Sequence, residues 1–163
     1  MNSVTSPGPR RSTHRQAAPV REAMRDLGIE LARLNHRVSD RLGLRDVDLD
    51  CLNLLSRLGP LSPGALARQA GLHPATMTGV LDRLEKGGWV TRDRDPVDRR
   101  AVRITASRDR GGELLRLYQG MNGAMDEICA GYTPDQLDLI TEFLTRSAAA
   151  GEHATANLKP QAE

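Results

Sequence analysis

The sequence is poor in aromatic residues. Its 163 residues include four aromatic side chains, namely Trp89, Tyr118, Tyr132 and Phe143. Proteins that bind single-stranded nucleic acids stack successive bases on aromatic rings. So small a set of rings argues against that mode of binding.

Cysteine is equally scarce, and the histidines form no cluster. The two cysteines, Cys51 and Cys129, make no C-x-x-C pair, which argues against a disulfide framework or a structural zinc site. No histidine stands at metal-ligand spacing from another histidine or a cysteine, so no metal site is predicted. Two buried, inert thiols in a protein of the reducing cytoplasm are the simplest expectation.

Long apolar runs and catalytic motifs are lacking as well. No run approaches the roughly 18 apolar residues of a transmembrane helix. Residues 1–18 lack the apolar core of a secretory signal, and their Ser, Pro, Gly and Arg content predicts a disordered basic arm. No nucleophile elbow, phosphate-binding glycine loop or Cys/His dyad occurs. We therefore expect neither an enzyme nor a cofactor nor a membrane partner.

Charge is distributed unevenly along the chain. The formal net charge is +2, yet His73 to Arg110 contains nine basic and six acidic residues, a net charge of +3. Gly111 to Glu163 contains three basic and eight acidic residues, a net charge of −5. Arginine outnumbers lysine by 21 to 2, and arginine suits bidentate contacts to phosphates and bases. The basic middle indicates an anionic partner, and the acidic end indicates a role facing protein or solvent.

The first predicted helix carries a long apolar stripe. Its members recur at near-heptad spacing and are Val20, Met24, Leu27, Leu31, Leu34, Val38 and Leu42. A stripe of about six turns needs a partner chain or several other helices to cover it. Residues 19–45 are therefore predicted to be an N-terminal dimerisation helix.

The next segment has the pattern of a helix-turn-helix. A short helix containing Cys51 and Leu55 is ended by Gly59-Pro60, and "LSPGALARQAG" follows as a compact helix with Ser62 as N-cap and Gly71 as its stop. A further helix is predicted from Pro74 to Lys86. Its buried stripe at i, i+3, i+4 and i+7 consists of Met77, Val80, Leu81 and Leu84.

A β-hairpin and two more helices complete the pattern. "WVTRDR" and "AVRIT" alternate like strands around the turn "DPVD", which places a wing after the second helix of the helix-turn-helix and gives a winged lobe at 46–107. A long helix begins near Arg108, and "TPDQ" at Thr133 is a capping box for the last helix. Residues 108–150 are predicted to be C-terminal dimerisation helices, followed by a flexible tail at 151–163. The fold class is mainly α with a small β-hairpin wing (α+β).

This order of elements resembles the MarR family of bacterial transcription regulators over about Arg21 to Ala150. The most specific part is Val80 to Thr105, "VLDRLEKGGWVTRDRDPVDRRAVRIT", where the family has D-R-L-E-x-x-G, a strand, and D-P-x-D-x-R. The resemblance implies an obligate homodimer that binds a palindromic site on double-stranded DNA. It also implies a repressor released by a small, often aromatic or phenolic, effector.

Residues that the winged lobe presents outward are the predicted DNA contacts. The exposed face of the helix Pro74–Lys86 is expected in the major groove, and the tip of the wing in the minor groove. Family members often carry an arginine near Gly79, which this chain lacks. Phosphates are expected at helix starts and at arginines. The predicted contacts are Ser62, Arg68, Ala75, Thr76, Thr78, Gly79, Arg83, Arg92, Arg94, Asp98, Arg99 and Arg100.

The effector site and two rival functions are less constrained by the sequence. An effector cavity is predicted between the lobe and the dimerisation helices, although plain core packing is the simpler interpretation of each candidate. The candidates are His36, Cys51, Leu55, Tyr118 and Met121. One rival is a protein-interaction module that uses the winged lobe, and the other is a regulator that senses oxidants through Cys51 or Cys129.

Overall fold

The computed structural model describes residues 9–94 and 101–158, with side chains from Ala17 onward. The elements are α1 (Pro9–Leu42), α2 (Asp46–Leu58), α3 (Pro63–Gln69), α4 (Pro74–Lys86), β1 (Val90–Arg94), β2 (Val102–Ala106), α5 (Arg108–Ala130) and α6 (Pro134–Asn157). They form two compact units, Met1–Leu114 and Leu115–Glu163. The predicted fold class is confirmed. No helix within the described residues is both long and apolar enough to cross a membrane.

Both ends of the chain are more helical than predicted. Helix α1 begins at Pro9, so residues 9–18 of the predicted disordered arm are helical, whereas residues 1–8 lie outside the described part. Proline is tolerated in a first turn, and the Arg, Gln and Ala residues that follow favour helix. At the other end α6 continues to Asn157 through an alanine-rich stretch, six residues beyond the predicted start of the flexible tail at 151.

The first unit has its core between α2, α3, α4 and the hairpin. The apolar stripe predicted for α4 is confirmed, because all four of its members are buried. The remaining buried apolar residues of the first unit are Val38, Leu49, Cys51, Leu52, Leu55, Leu66, Ala67, Trp89, Val90, Ile104 and Leu114. Their burial fixes which side of α4 faces inward and therefore which side faces solvent.

The turn between α3 and α4 follows the predicted local rules. Ser62 accepts a hydrogen bond at its Oγ from the backbone N–H of Ala65 (3.2 Å), and Pro63 occupies the first helical position. Gly71 has φ +65°, a left-handed conformation that L side chains rarely adopt, and it ends α3 as expected. The two helices are thus separated by a short, well-defined turn.

The hairpin is anchored to the helices at its second strand. Strands β1 and β2 pair antiparallel, with Val90 opposite Ala106 and Arg94 opposite Val102. Ile104, which is fully buried, also exchanges two backbone hydrogen bonds with Leu61 (2.7 and 3.1 Å), the residue just before the α3 cap. The base of the wing is therefore held to the start of α3 by backbone as well as by packing.

Gly87, Trp89 and Arg110 hold the junction between α4 and β1. Trp89 is buried, and the Arg110 guanidinium lies 4.3 Å above its ring while donating to the carbonyl of Gly87 (3.1 Å). A Cβ at Gly87 would lie 2.7 Å from the Trp89 ring, so only glycine fits there without a shift of the indole. This junction sets the direction in which the wing leaves α4.

The second unit consists of the remainder of α5 and α6. The predicted capping box is confirmed: Thr133 Oγ1 accepts from the Gln136 N–H, and Gln136 Oε1 accepts from the Thr133 N–H. No residue of α6 is buried in the single chain. Its apolar side chains are therefore left in contact with solvent, most of all Leu139, Phe143 and Leu144.

Candidate nucleic-acid interface

The most strongly held ion pair on the lobe joins the first turn of α2 to α4. Arg83 donates through Nε to Asp48 Oδ2 (3.1 Å) and through Nη2 to Asp48 Oδ1 (2.6 Å), a bidentate arrangement. The Asp48 side chain is 2% exposed, while Arg83 is 37% exposed. These hydrogen bonds raise the pKa of the Arg83 guanidinium above its ordinary value.

Arg83 was predicted to face outward and read bases; Asp48 takes its Nε and Nη2, while Nη1 lies 3.6 Å from the position of a Cβ on Gly79, so a base contact by Arg83 stays a prediction. Its guanidinium is turned toward α2, because the buried carboxylate of Asp48 requires a cationic partner. Asp48 was not among the predicted functional residues, although the sequence held a signal. Asp48 lies at i, i+4 and i+7 with Leu52 and Leu55, so it belongs to the apolar face of α2.

The solvent-facing surface of the first half of α4 is made of small side chains. Ala75, Thr76 and Thr78 are exposed, and Gly79 beside them has no side chain. Thr78 Oγ1 donates to the carbonyl of Pro74 (3.2 Å), so its hydroxyl proton is engaged within the helix. These four predicted contacts therefore lie together, as a surface that can approach a DNA groove closely.

His73 is a residue at this surface that the sequence interpretation missed. It is the N-cap of α4, where Nδ1 accepts a hydrogen bond from the Ala75 N–H (3.2 Å), and it is exposed. With Nδ1 as acceptor, the neutral ring carries its proton on Nε2, which makes that nitrogen a donor. Its place immediately before Pro74, at the first position of the helix, was the available signal.

The predicted phosphate contacts fall into two groups. Ser62, Arg68 and Arg94 are exposed on α3 and β1, on the same lobe as the small surface of α4. Arg92, by contrast, pairs with Asp82 and with Glu85 (3.1 Å between Nε and Oε2), both on α4. These two carboxylates match the charge of Arg92 and fasten β1 to α4, while a phosphate contact by Arg92 stays a prediction. Asp98, Arg99 and Arg100 lie outside the described residues.

Comparison with known proteins identifies the family of this lobe. The sequence model of the MarR family matches residues 44–102. The HTH-type transcriptional regulator YcgE of Bacillus subtilis is 31% identical over 138 residues, which cover 85% of this chain and 90% of that protein. The chain belongs to the MarR family. It is a transcription regulator with a winged helix-turn-helix fold, and not an enzyme.

Solved structures of MarR proteins share this fold. A MarR family protein from Bacillus stearothermophilus superposes with a TM-score of 0.65 at 18% identity and covers 85% of this chain and 97% of its own. Apo MarR from E. coli superposes with a TM-score of 0.55 at 19% identity, covering 77% and 93%. At these identities the likeness extends to the fold alone.

The predicted effector residues are divided between the two units of this MarR protein. Tyr118 and Met121 are half-buried in the second unit, whereas Cys51 and Leu55 are buried in the core of the first. His36 lies at the surface of the single chain, and its part in an effector site stays a prediction. Its side chain is 60% exposed, and Nδ1 lies 3.0 Å from Asp46 Oδ2 at the corner between α1 and α2.

The Cys51 thiol is held in its protonated form. Burial raises its pKa to about 11, and the nearby carboxylates of Asp48 and Asp50 add to the shift. Cys129 is half-buried, and both cysteines are free thiols. In the part of the chain that the structure covers, no three metal-ligating side chains come close enough to hold an ion.

We expect Arg83→Met to destabilise the lobe more than Asp48→Asn does. The first change leaves the Asp48 carboxylate buried without a partner and should cost about 3 kcal/mol of unfolding free energy. The second leaves Arg83, which can turn to water, and should cost about 1 kcal/mol. Urea unfolding measures both, with Arg57→Met as a control on an exposed arginine of α2. Equal losses for Arg83→Met and Arg57→Met would contradict this account of the pair.

We expect Cys51 to resist thiol reagents at neutral pH in the native protein. Its raised pKa should lower its labelling rate about a hundredfold relative to the urea-unfolded chain, because only the thiolate reacts. A Cys129→Ala variant isolates the signal of Cys51. Labelling of that variant at the rate of the unfolded chain would show that Cys51 is accessible and would revive the oxidant-sensing alternative.

Proposed function

We propose that the chain is a homodimeric repressor that binds a palindromic operator in double-stranded DNA. The observation that carries the proposal is the surface of the lobe. The small face of α4 is exposed, and so are Arg68 of α3 and Arg94 of β1 on the same lobe. A helix whose exposed side carries short side chains can enter the major groove, and flanking arginines can contact the phosphates on either side.

Uncovered apolar side chains support the dimer. On α1, Val20, Met24, Leu27 and Leu31 are each more than a third exposed, and α6 exposes Ile140, Phe143 and Leu144 to a similar degree. Soluble proteins seldom leave so many large apolar side chains in water unless a partner covers them. A second copy is the partner that gives a twofold-symmetric protein, and twofold symmetry matches a palindromic site.

Repression and release by an effector are the finer parts of the proposal. A relative named as the transcriptional repressor YetL of Bacillus subtilis is 27% identical over 84 residues, about half of this chain. Release by a small aromatic or phenolic effector is an implication of the family resemblance. An effector that prefers one separation of the two lobes would shift the population away from the separation that fits two half-sites.

We expect Leu27→Asp to convert the dimer into monomers. Burying a leucine contributes about 2 kcal/mol, and a twofold interface loses the contribution twice, so the dissociation constant should rise roughly a thousandfold. Sedimentation velocity over a range of concentrations measures the change. Ser56→Asp, which adds the same charge at an exposed polar position of α2, serves as the control and should remain dimeric. A wild-type chain that sediments as a monomer would contradict the proposal.

We expect binding to DNA flanking the protein's own gene to weaken steeply with salt. Removing Arg68 or Arg94 should lower the slope of log K against log salt by about one unit each, as one phosphate contact is lost. The Arg99→Ala, Arg100→Ala double variant should abolish selective binding if the wing enters the minor groove. Fluorescence anisotropy at two salt concentrations measures all of these.

The matched control removes charge from a different element. Arg33 lies exposed on α1 and pairs with Glu30, so Arg33→Ala changes the net charge equally but should leave the salt slope unchanged. If Arg33→Ala and Arg94→Ala lowered the salt slope equally, the result would indicate that DNA is attracted by net charge alone. Selective capture of a protein instead of DNA, insensitive to salt, would favour the rival interaction module.

A further inference from the structure

The first half of α4 offers few side chains that can recognise guanine in the major groove. Arginine and lysine read guanine by donating to O6 and N7, and the leading residues of a recognition helix are those that reach the bases. In α4, which the structure describes completely, the cations are Arg83 and Lys86, both in the second half. Arg83 is held by the buried carboxylate of Asp48 in a bidentate pair.

Releasing Arg83 to reach a base would leave a buried charge without its partner. Asp48 is 2% exposed, and its oxygens accept from Arg83 and, at 3.4 Å, from the backbone N–H of Arg45. Removing one member of such a pair is among the costliest single changes in a protein. The geometry therefore keeps Nε and Nη2 of Arg83 on Asp48 when the lobe meets DNA, and Nη1, which lies 3.6 Å from the position of a Cβ on Gly79, is the nitrogen outside the pair.

What the first half of α4 does present is methyl groups. Ala75 and Thr76 are exposed, as is Thr78, and each has a methyl carbon. The hydroxyl proton of Thr78 is taken by the Pro74 carbonyl, so this side chain can offer a base its methyl group and an acceptor oxygen, but no donor. Thymine is the one base whose major-groove edge carries a methyl group, at C5.

We propose that α4 recognises thymine by its C5-methyl group, through an apolar surface formed by Ala75, Thr76 and Thr78. The proposal rests on the proposed DNA-binding function and specifies the base that its major-groove contact selects. Gly79 serves the same contact, since the absence of a side chain there lets the helix lie close to the base edges. Operators should accordingly contain thymines at the positions that the first two turns of α4 cover.

Deoxyuridine tests the proposal because it removes only the methyl group. The probe is the duplex that the protein itself enriches from a random-sequence pool, with each half-site thymine replaced in turn by uracil. At the thymines under α4 we expect affinity to fall about fourfold, the value of one buried methyl group. Replacing guanines by 7-deazaguanine, which removes the N7 acceptor, should leave affinity within about twofold.

Protein variants show which side chain makes the contact. Thr76→Ser and Thr78→Ser each keep the hydroxyl and remove the methyl group at an exposed position, so the fold is retained. The variant that lacks the contacting methyl should bind the thymine duplex about fourfold more weakly and lose nothing further on the uracil duplex. If the affinity losses caused by the variant and by uracil added together, they would contradict direct contact between that methyl group and the thymine methyl group.

The outcomes separate this proposal from the function on which it rests. Thymine recognition would be overturned if affinity for the selected duplex were unchanged by uracil but fell with 7-deazaguanine. That result would assign base recognition to a donor such as His73 Nε2. If neither replacement changed the affinity for the selected duplex, thymine recognition would be overturned in favour of recognition by DNA shape. Failure to enrich any duplex would instead overturn the DNA-binding function itself.

Discussion

The buried carboxylate of Asp48 is the constraint on which the arrangement of the lobe depends. It lies in the first turn of α2, where it accepts from the backbone N–H of Arg45 and so helps to begin that helix. The same carboxylate accepts from Nε and Nη2 of Arg83, 35 residues further along the chain. One side chain thus helps to start α2 and ties α4 to it, which adds to the buried stripe of α4 in deciding which residues of that helix face solvent.

Several arginines of this chain make contacts within the protein that hold its elements together. Arg83 holds α4 to α2, Arg92 holds β1 to α4, and Arg110 stacks on Trp89 and caps the Gly87 carbonyl. Counting basic residues from His73 to Arg110 therefore overstates the charge that faces a partner. Exposed cations such as Arg68 and Arg94 provide the phosphate contacts in our account, and the small face of α4 provides the contact to bases.

Local chemistry was enough to predict most of the fold. The Ser62 and Thr133 caps, the glycines after α4 and the apolar stripe beginning at Met77 act within one or two turns of helix, so the sequence shows them directly. The predicted start of α1 is too late, because the Ser, Pro and Gly content of residues 1–18 is typical of disorder, whereas the residues after Pro9 favour helix. The elements that the sequence predicts correctly are those with strong local signals or long periodic segments.

The candidate site was less predictable, because the orientation of its arginines depends on partners distant in sequence. The helical period places Arg83 beside the buried stripe, but only the packing of α2 against α4 brings Asp48 to it. Arg92 likewise follows the strand pattern, while its two carboxylate partners belong to the preceding helix. A charged residue near a predicted DNA surface is therefore a weak indicator until its neighbours are known.

The most direct test of the account is a crystal structure of the protein bound to a duplex that it selects. The account predicts that α4 lies in the major groove with Arg83 still paired to Asp48, and that Ala75 or a threonine methyl group contacts a thymine methyl group. An Arg83 guanidinium that has left Asp48 and donates to a guanine would contradict it.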